Sequence, residues 1–216
     1  MKPTDPLPLR PEYELRDVAT LRAIFGGTSD VIWGKSSPVL TYPMLRFIKL
    51  SPFYCLASYD AEGRTDISPR GDAPGSIECV GGHTLLLPDR PGNRRYDTLR
   101  NIFETGRLSL LFMIPGVLDT LRVNGRARVT RDPEIRSRFV VKGRMPEMAL
   151  VVTVEEAYGH CSKAIRRSKL WTDTYAVDRA QAPSLAEMMA AHLDIGDREF
   201  DGLEYVIQMD ATHNQY

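Results

Sequence analysis

Between residues 51 and 160 the chain consists of short apolar or alternating segments. These segments are PFYCLASYD, RTDISP, IECV, HTLLLP, RLSLLFMIP, DTLRVNGRARVTRD and MALVVTVEEAY. Turn-forming residues separate them, namely Glu62-Gly63, Gly81-Gly82, Pro115-Gly116 and Gly143. Only Arg95–Thr105, closed by Gly106, has a helical pattern among them. Many short strands with few helices predict a mainly β (α+β) protein with an antiparallel barrel or sandwich, and exclude a doubly wound parallel sheet.

Helices are predicted on both sides of this strand-rich region. The apolar spacing of Leu15–Phe25 is helical and Gly26-Gly27 ends it, and a second helix is expected over Tyr42–Leu50. Ser184 and Glu187 form a capping box ahead of another apolar stripe. A last helix is expected over Glu199–Met209.

We find no repeat and no low-complexity linker, so we expect one domain over residues 1–216. It would have an N-terminal arm and helices over about 1–50 and C-terminal helices over about 183–210. Four prolines among the first dozen residues favour an extended arm at its start, namely Pro3, Pro6, Pro8 and Pro11.

Composition narrows the class of protein. Hydrophobic residues make up 43% of the 216 residues and charged residues 26%, which is typical of a globular chain. Lys+Arg and Asp+Glu both number 28, so a general nucleic-acid binder is disfavoured.

The three cysteines form no CxxC pair and the four histidines form no close pair, so we expect neither disulfides nor a metal. With no signal-peptide core and no apolar run of ~20 residues, we expect a cytoplasmic protein without a membrane partner.

The segment LLLPDRPGNRRYDTLRNI (residues 85–102) has the pattern of a buried strand, a loop and a helix capped near Asn93. Arg94 and Arg95 would then lie in the first helical turn, where the helix dipole disfavours each cation by ~0.3–1 kcal/mol. An anion bound between these arginines and the free backbone amides would explain them, and a phosphate ester is the natural candidate. The alternative is that the arginines pair on the surface with Asp89, Asp97 or Glu104.

Two other polar segments accompany it. In ISPRGDAPG the end of a strand would bring Ser68, Arg70 and Asp72 together with backbone amides, although a plain hairpin with an exposed Arg–Asp pair fits equally. LRVNGRARV alternates strictly, and its polar face would line a groove, form a subunit contact or be solvated. That face consists of Arg122, Asn124, Arg126 and Arg128.

The segment GHCSKAIRRSKLW (residues 159–171) is rich in basic residues and ends in a tryptophan. A solvated basic helix beside a core tryptophan accounts for it. His160 and Cys161 are adjacent in sequence, so their side chains would point to opposite faces of a strand and would not form a catalytic dyad.

Together SPRGD, PDRPGNRRYDTLRNI, LLFMIPG, DTLRVNGRARVTRD and HCSKAIRRSKLW resemble the pyridoxamine 5′-phosphate oxidase-like family of FMN-binding proteins. The likeness is to a bacterial subgroup without an assigned substrate, and it covers most of the chain. It implies an antiparallel split β-barrel of the FMN-binding type with peripheral helices. It also implies a homodimer that binds two FMN molecules in clefts at the interface.

The resemblance also implies a set of cofactor-binding residues. The SPRGD strand would lie along the flavin ring and ribityl chain, and the Asn93–Arg95 segment would hold the phosphate. Lys163 and Trp171 would come from the partner subunit. The full set is Ser68, Arg70, Gly71, Asp72, Pro88, Asp89, Asn93, Arg94, Arg95, Arg122, Asn124, Lys163 and Trp171.

The resulting hypothesis is an FMN-dependent oxidoreductase acting on a small molecule, with no catalytic residue assigned. The alternatives are a non-catalytic FMN carrier or sensor, a phosphate-ligand or nucleic-acid binding module without flavin, and a relative that uses a deazaflavin. Pyridoxamine-phosphate oxidase activity itself is disfavoured. In true pyridoxamine-phosphate oxidases an arginine-rich terminal strand binds the substrate phosphate, whereas this sequence has YVIQMDATHNQY in the corresponding place.

Overall fold

The computed structural model describes residues 9–193 and 195–216. The chain divides into two compact units, Met1–Lys35 and Ser36–Tyr216. The expectation of one domain over the whole chain stays a prediction.

The described part of the first unit, from residue 9 onward, contains two short helices, α1 (Val18–Phe25) and α2 (Asp30–Trp33). Asp17 caps α1 by accepting a hydrogen bond from the Thr20 amide at 2.7 Å, so this helix begins three residues later than predicted. Neither helix contains a buried residue. Residues 1–8 of the predicted arm lie outside the described residues, and the arm ends in a 3-10 turn at Pro11–Tyr13.

Within the described part of the second unit, seven strands form one antiparallel sheet in the order β2-β1-β5-β6-β7-β4-β3. The edge strands β2 and β3 do not pair, so the sheet stays open as a split barrel. This confirms the predicted fold class. The strands are β1 (Phe53–Tyr59), β2 (Thr65–Gly71), β3 (Glu78–Val80), β4 (Thr84–Asp89), β5 (Arg107–Met113), β6 (Thr120–Thr130) and β7 (Met148–His160).

The register places alternate residues of neighbouring strands on one inner face. Leu56 lies opposite Leu110, which lies opposite Val123, and all three are fully buried. Each such side chain contributes ~1.5–3 kcal/mol through burial. The predicted alternation of LRVNGRARV is confirmed, because Leu121, Val123, Gly125 and Ala127 face this core while the polar residues face outward.

A β-bulge interrupts the β6–β7 ladder between Asn124 and Gly125. At Gly125 the two backbones approach so closely that a Cβ atom would lie 2.2 Å from the carbonyl oxygen of Thr153. Only glycine fits there. The bulge leaves Glu155 facing outward, where it accepts hydrogen bonds from Arg126 at 2.7 Å and Arg107 at 3.1 Å.

The described part of this unit also contains six helices. The predicted helix over Tyr42–Leu50 and the capping box of Ser184 and Glu187 are confirmed. No helix among residues 9–193 and 195–216 has the length and apolar character needed to span a bilayer. The helices are α3 (Tyr42–Leu50), α4 (Asp97–Thr105), α5 (Pro133–Ser137), α6 (Lys163–Ser168), α7 (Leu185–Leu193) and α8 (Asp197–His213).

Helix α4 differs from its prediction in two respects. It begins at Asp97, because Arg94 and the capping residue Tyr96 have left-handed backbone conformations, with φ of 58° and 63°. The predicted cap at Asn93 was therefore wrong, and both arginines precede the helix. The helical spacing also predicts one apolar face of Leu99, Ile102 and Phe103, but Phe103 is 71% exposed, and the face that turns inward consists of Leu99 and Ile102 with the polar residues Thr98 and Asn101.

Candidate functional site

A cleft of about 1190 Å³ lies along the inner side of β2, at the sheet edge. The loop between β4 and α4 forms one wall, and residues 144–148 and the segment after α8 form another. It is the larger of two neighbouring cavities, and Arg90 lines both.

Strand β2 brings polar side chains to the cleft at every second residue. Asp66, Ser68 and Arg70 alternate with exposed residues and face inward, as the period of a strand requires. Thr98, in the first turn of α4, donates a hydrogen bond to Asp66 at 2.8 Å, and its hydroxyl lies 3.3 Å from that of Ser68. These bonds join the helix start to the edge strand and form one end of the cleft.

Two ion pairs cross the middle of this region. Arg70 pairs with Asp89 at 3.0 Å, and Arg90 pairs with Asp72 at 2.6 Å. Arg70 and Asp72 therefore do not form the exposed pair that was the alternative prediction for this hairpin, because each pairs with another residue. Burial raises the pKa of Asp89 above its usual value, and the neighbouring Arg70 only partly offsets this effect.

The loop before α4 presents Arg94 and Arg95 differently. Asn93 accepts a hydrogen bond from the Arg95 amide at 3.1 Å, which closes a local turn, and the Arg95 guanidinium pairs with Asp97 at 2.6 Å. Asp97, with a smaller effect from Asp66, raises the pKa of Arg95. The alternative of surface pairing thus holds for Arg95. Arg94 has no hydrogen bond or ion pair among the described residues, and the left-handed backbone that presents it to the cleft is strained.

Two donors in the cleft are therefore available to an anionic ligand. Besides the guanidinium of Arg94, the Nε of Arg70 is buried and has no hydrogen-bond partner in the part of the chain described. A buried donor without an acceptor is costly, and an oxygen-rich ligand would satisfy it. The donor set fits a phosphorylated, hydroxylated molecule such as FMN.

Of the predicted cofactor residues, the cleft brings together Ser68, Arg70, Asp89, Asn93, Arg94 and Arg95. Three others border it without lining it. Gly71 ends β2 beside the backbone of Pro52, Pro88 points away from Asp89 in β4, and Asp72 lines the smaller cavity.

Four predicted residues lie elsewhere. Lys163 begins the exposed helix α6, and Trp171 donates a hydrogen bond to the carbonyl of Val117 at 2.8 Å. Arg122 and Asn124 face outward from β6, on the opposite side of the sheet from Ser68 and Arg70.

On this outer face, Arg122 stacks on Tyr158, with its guanidinium carbon 4.4 Å from the ring centroid. Asn124 donates to Glu156 at 2.6 Å. The Nε of Arg122 and the Oδ1 of Asn124 are buried, yet neither has a hydrogen-bond partner among the residues that the structure describes.

Sequence reasoning missed several residues of the cleft. Asp66 could have been predicted from the sequence, because it shares the two-residue period of Ser68 and Arg70. No local sequence pattern marked Arg144 and Tyr216 as cleft residues, since they lie far along the chain from the other residues of the cleft.

Solved structures with similar folds have low sequence identity to this chain. HupZ of Group A Streptococcus is 19% identical with a TM-score of 0.47, and the match covers 57% of this chain and 95% of that one. An FMN-binding protein of Syntrophomonas wolfei is 14% identical with a TM-score of 0.43, covering 66% and 95%. General Stress Protein 26 of Bacillus anthracis is 13% identical with a TM-score of 0.41, covering 53% and 88%.

A comparison with curated proteins gives no match. The family model described as pyridoxamine 5′-phosphate oxidase matches residues 41–161, from the start of α3 to just beyond β7 and more than half of the chain. The matched region includes β2, β4 and the loop before α4 that carries Arg94 and Arg95, which we call the arginine loop. The chain therefore belongs to the pyridoxamine 5′-phosphate oxidase family.

Proposed function

We propose that the protein is an FMN-dependent oxidoreductase that acts on a small molecule. The observation that supports this most directly is the pair of available donors in the cleft, the Arg94 guanidinium and the buried Arg70 Nε. Both lie within the region matched by the family model.

The residues of the cleft divide into two groups along β2. Arg94 and Arg95, together with the hydroxyl of Ser68, would hold the FMN phosphate, since charged donors such as guanidinium groups bind phosphate oxygens strongly. Arg70 would donate its Nε to a ribityl or ring oxygen while Asp89 holds the guanidinium in place. When bound, the flavin supplies hydride and electron transfer, and the protein contributes orientation and electrostatics.

We further propose that the protein is a homodimer whose flavin clefts are shared. The outer face of the sheet supports this, because the buried Arg122 Nε and Asn124 Oδ1 need partners. Ile67, on the same face, is 69% exposed. A second subunit covering this face would shield Ile67 from water, and its own Lys163 and Trp171 would approach the neighbouring flavin.

The first test is cofactor content. We expect the purified protein to be yellow and to release one FMN per chain on denaturation, identified by chromatography against FMN, riboflavin and a deazaflavin. Colourless protein that takes up no FMN on titration would contradict the proposal. Release of a deazaflavin instead of FMN would show that the protein uses a deazaflavin as its cofactor.

The second test separates an enzyme from a carrier. We expect NADH or NADPH to reduce the bound flavin, and dioxygen or quinones to reoxidise it, over repeated cycles. Flavin that stays oxidised with both nicotinamide donors would favour the carrier or sensor.

A further inference from the structure

Tyr216 is anchored at the edge of the cleft by four contacts. Its hydroxyl donates to a carboxylate oxygen of Asp72 at 3.1 Å, and its carbonyl accepts a hydrogen bond from Arg144 at 2.6 Å. The cationic groups of Arg90 and Lys142 each lie 5.3 Å from its ring centroid, within cation–π range. Backbone, ring and hydroxyl are thus all restrained.

Asp72 is the anchor of this arrangement. Its carboxylate also accepts hydrogen bonds from the Nε of Arg90 at 2.6 Å and the amide of Ala73 at 2.7 Å, and its side chain is only 7% exposed. Its negative charge and hydrogen bond raise the pKa of Tyr216, so the phenol remains a protonated donor. Asp72 therefore acts here by positioning Tyr216.

The anchored tyrosine lies at one end of the cleft. Asp72, one residue beyond the end of β2, follows Ser68 by four residues, which is roughly 13 Å of extended chain. Ser68 lies beside Thr98, where α4 starts, and Arg95 is close enough to Asp66 for that carboxylate to raise its pKa. The arginine loop thus marks the phosphate end, and Tyr216 lies at the other end together with Asn214 and Arg144.

The cleft has room for a second molecule. Its volume of about 1190 Å³ exceeds the ~300–1,000 Å³ typical of a small-molecule site. A bound flavin with its phosphate at the arginine loop would direct its ring toward Tyr216. A molecule that approaches the ring from this end of the cleft would then meet the wall formed by Asp210, Asn214 and Tyr216.

We propose that Tyr216 is a specificity-determining residue, which positions the segment after α8 as the wall beside the flavin ring and limits the size of the second substrate. The inference rests on the proposed FMN site. It predicts that the wall opens when its anchor is lost. Removing the hydrogen bond to Asp72 shifts such an opening equilibrium by roughly tenfold.

The experiment measures how accessible the bound flavin is to small solutes in the Tyr216→Phe and Tyr216→Ala variants. We expect the acrylamide quenching constant of flavin fluorescence to rise in Tyr216→Phe and to rise further in Tyr216→Ala. A photoreduced flavin passes two electrons and two protons to a quinone or to dioxygen. Reoxidation by a bulky naphthoquinone should accelerate in both variants, while reoxidation by dioxygen should not change.

Tyr205→Phe is the matched control, because Tyr205 lies on α8 itself and is 63% exposed. It should match the native protein in every measurement. FMN and riboflavin affinities should change by the same factor in the Tyr216 variants, because the wall is remote from the phosphate.

Quenching and quinone rates that equal the native values in both Tyr216 variants would overturn the inference while leaving the FMN site intact. A native protein that binds no flavin would overturn the proposed function and this inference together. Equal acceleration by the naphthoquinone and by dioxygen would also contradict a size-limiting wall.

Discussion

The arginine side chains of the cleft differ in how much of their hydrogen-bonding capacity the protein already uses. Arg90 is bound to Asp72 and to the carbonyl of Phe139, and Arg95 is bound to Asp97. Arg94 has no such partner among the described residues. At the scale of single residues, a ligand anion therefore gains most from Arg94.

We expect Arg94→Ala to weaken FMN binding by roughly ten- to a hundredfold, because one charged hydrogen-bond donor to the phosphate is worth ~1.5–3 kcal/mol. Arg95→Ala should cost less, since Asp97 already neutralises that cation. Titration of apoprotein by flavin fluorescence measures both.

Riboflavin lacks the phosphate, so its affinity should be the same in Arg94→Ala and the native protein. Arg22→Ala removes a cation from helix α1, outside the cleft, and controls for net charge. An Arg94→Ala protein with native FMN affinity would exclude this residue from the phosphate site.

At the scale of elements, the β1–β2 hairpin places Ser68 and Arg70, and the turn that joins its strands depends on one carboxylate. Asp60 accepts hydrogen bonds from the Arg64 amide at 2.8 Å, the Glu62 amide at 3.1 Å and the Arg64 Nε at 2.6 Å. Burial alone would raise the pKa of Asp60, but these bonds outweigh it and lower the pKa below its ordinary value.

A depressed carboxyl pKa stabilises the folded state above the unfolded pKa of about 3.9, and this contribution is lost as pH falls through the folded pKa. We therefore expect Asp60→Asn to be less stable than the native protein at pH 7, with a difference that shrinks below pH ~4. Urea unfolding at a series of pH values measures it. A difference that does not vary with pH would mean that charge at Asp60 is not responsible.

The β6–β7 bulge is the second element that constrains the outer face. We expect Gly125→Ala to destabilise the protein by more than ~3 kcal/mol, because the new Cβ would meet the Thr153 carbonyl oxygen at 2.2 Å. Gly202→Ala is the matched control in α8, where nothing lies within 4 Å of the added methyl group. It should stabilise slightly, by up to ~1 kcal/mol. Equal stability of the two variants would show that the strands separate at the bulge.

At the scale of the whole molecule, the outer sheet face and the cleft lie on opposite sides of the sheet, so one flavin does not reach both within one chain. The proposed dimer with shared clefts would resolve this separation. Ligand that binds only the dimer stabilises the dimer by mass action. We expect a C₂ dimer with an interface well above ~1,200 Å² in total, whose unfolding temperature rises with added FMN.

Trp171→Ala tests the shared cleft directly. Because Trp171 is outside the cleft of its own chain, a lower FMN affinity would require its presence in the partner's site. We expect a loss of ~1–3 kcal/mol, roughly five- to a hundredfold in affinity, for a buried aromatic at an interface. Trp33→Ala, an exposed tryptophan of the first unit, is the control. Light scattering that shows a monomer with FMN fully bound would contradict the shared cleft.

Local sequence pattern was enough to predict much of this protein. The two-residue period of β6, the helix at Tyr42–Leu50 and the capping box at Ser184 depend on neighbouring residues alone, and each was confirmed. The backbone conformation of individual residues was harder to predict from the sequence. Nothing in NRRYD marks the left-handed Arg94 and Tyr96 that delay α4, because non-glycine residues seldom adopt that conformation.

The sequence by itself determined the strand-rich fold and six residues that line the cleft, because periodicity and short motifs depend on contacts between near neighbours. Tertiary structure alone decided which charges pair. Arg70 pairs with Asp89 and Arg90 with Asp72, residues nineteen and eighteen positions apart, because the folded sheet brings the end of β2 close to the end of β4 although these strands do not pair. It also decided that Tyr216 meets Asp72 across 144 positions. Such contacts depend on how whole elements pack, which no local pattern encodes.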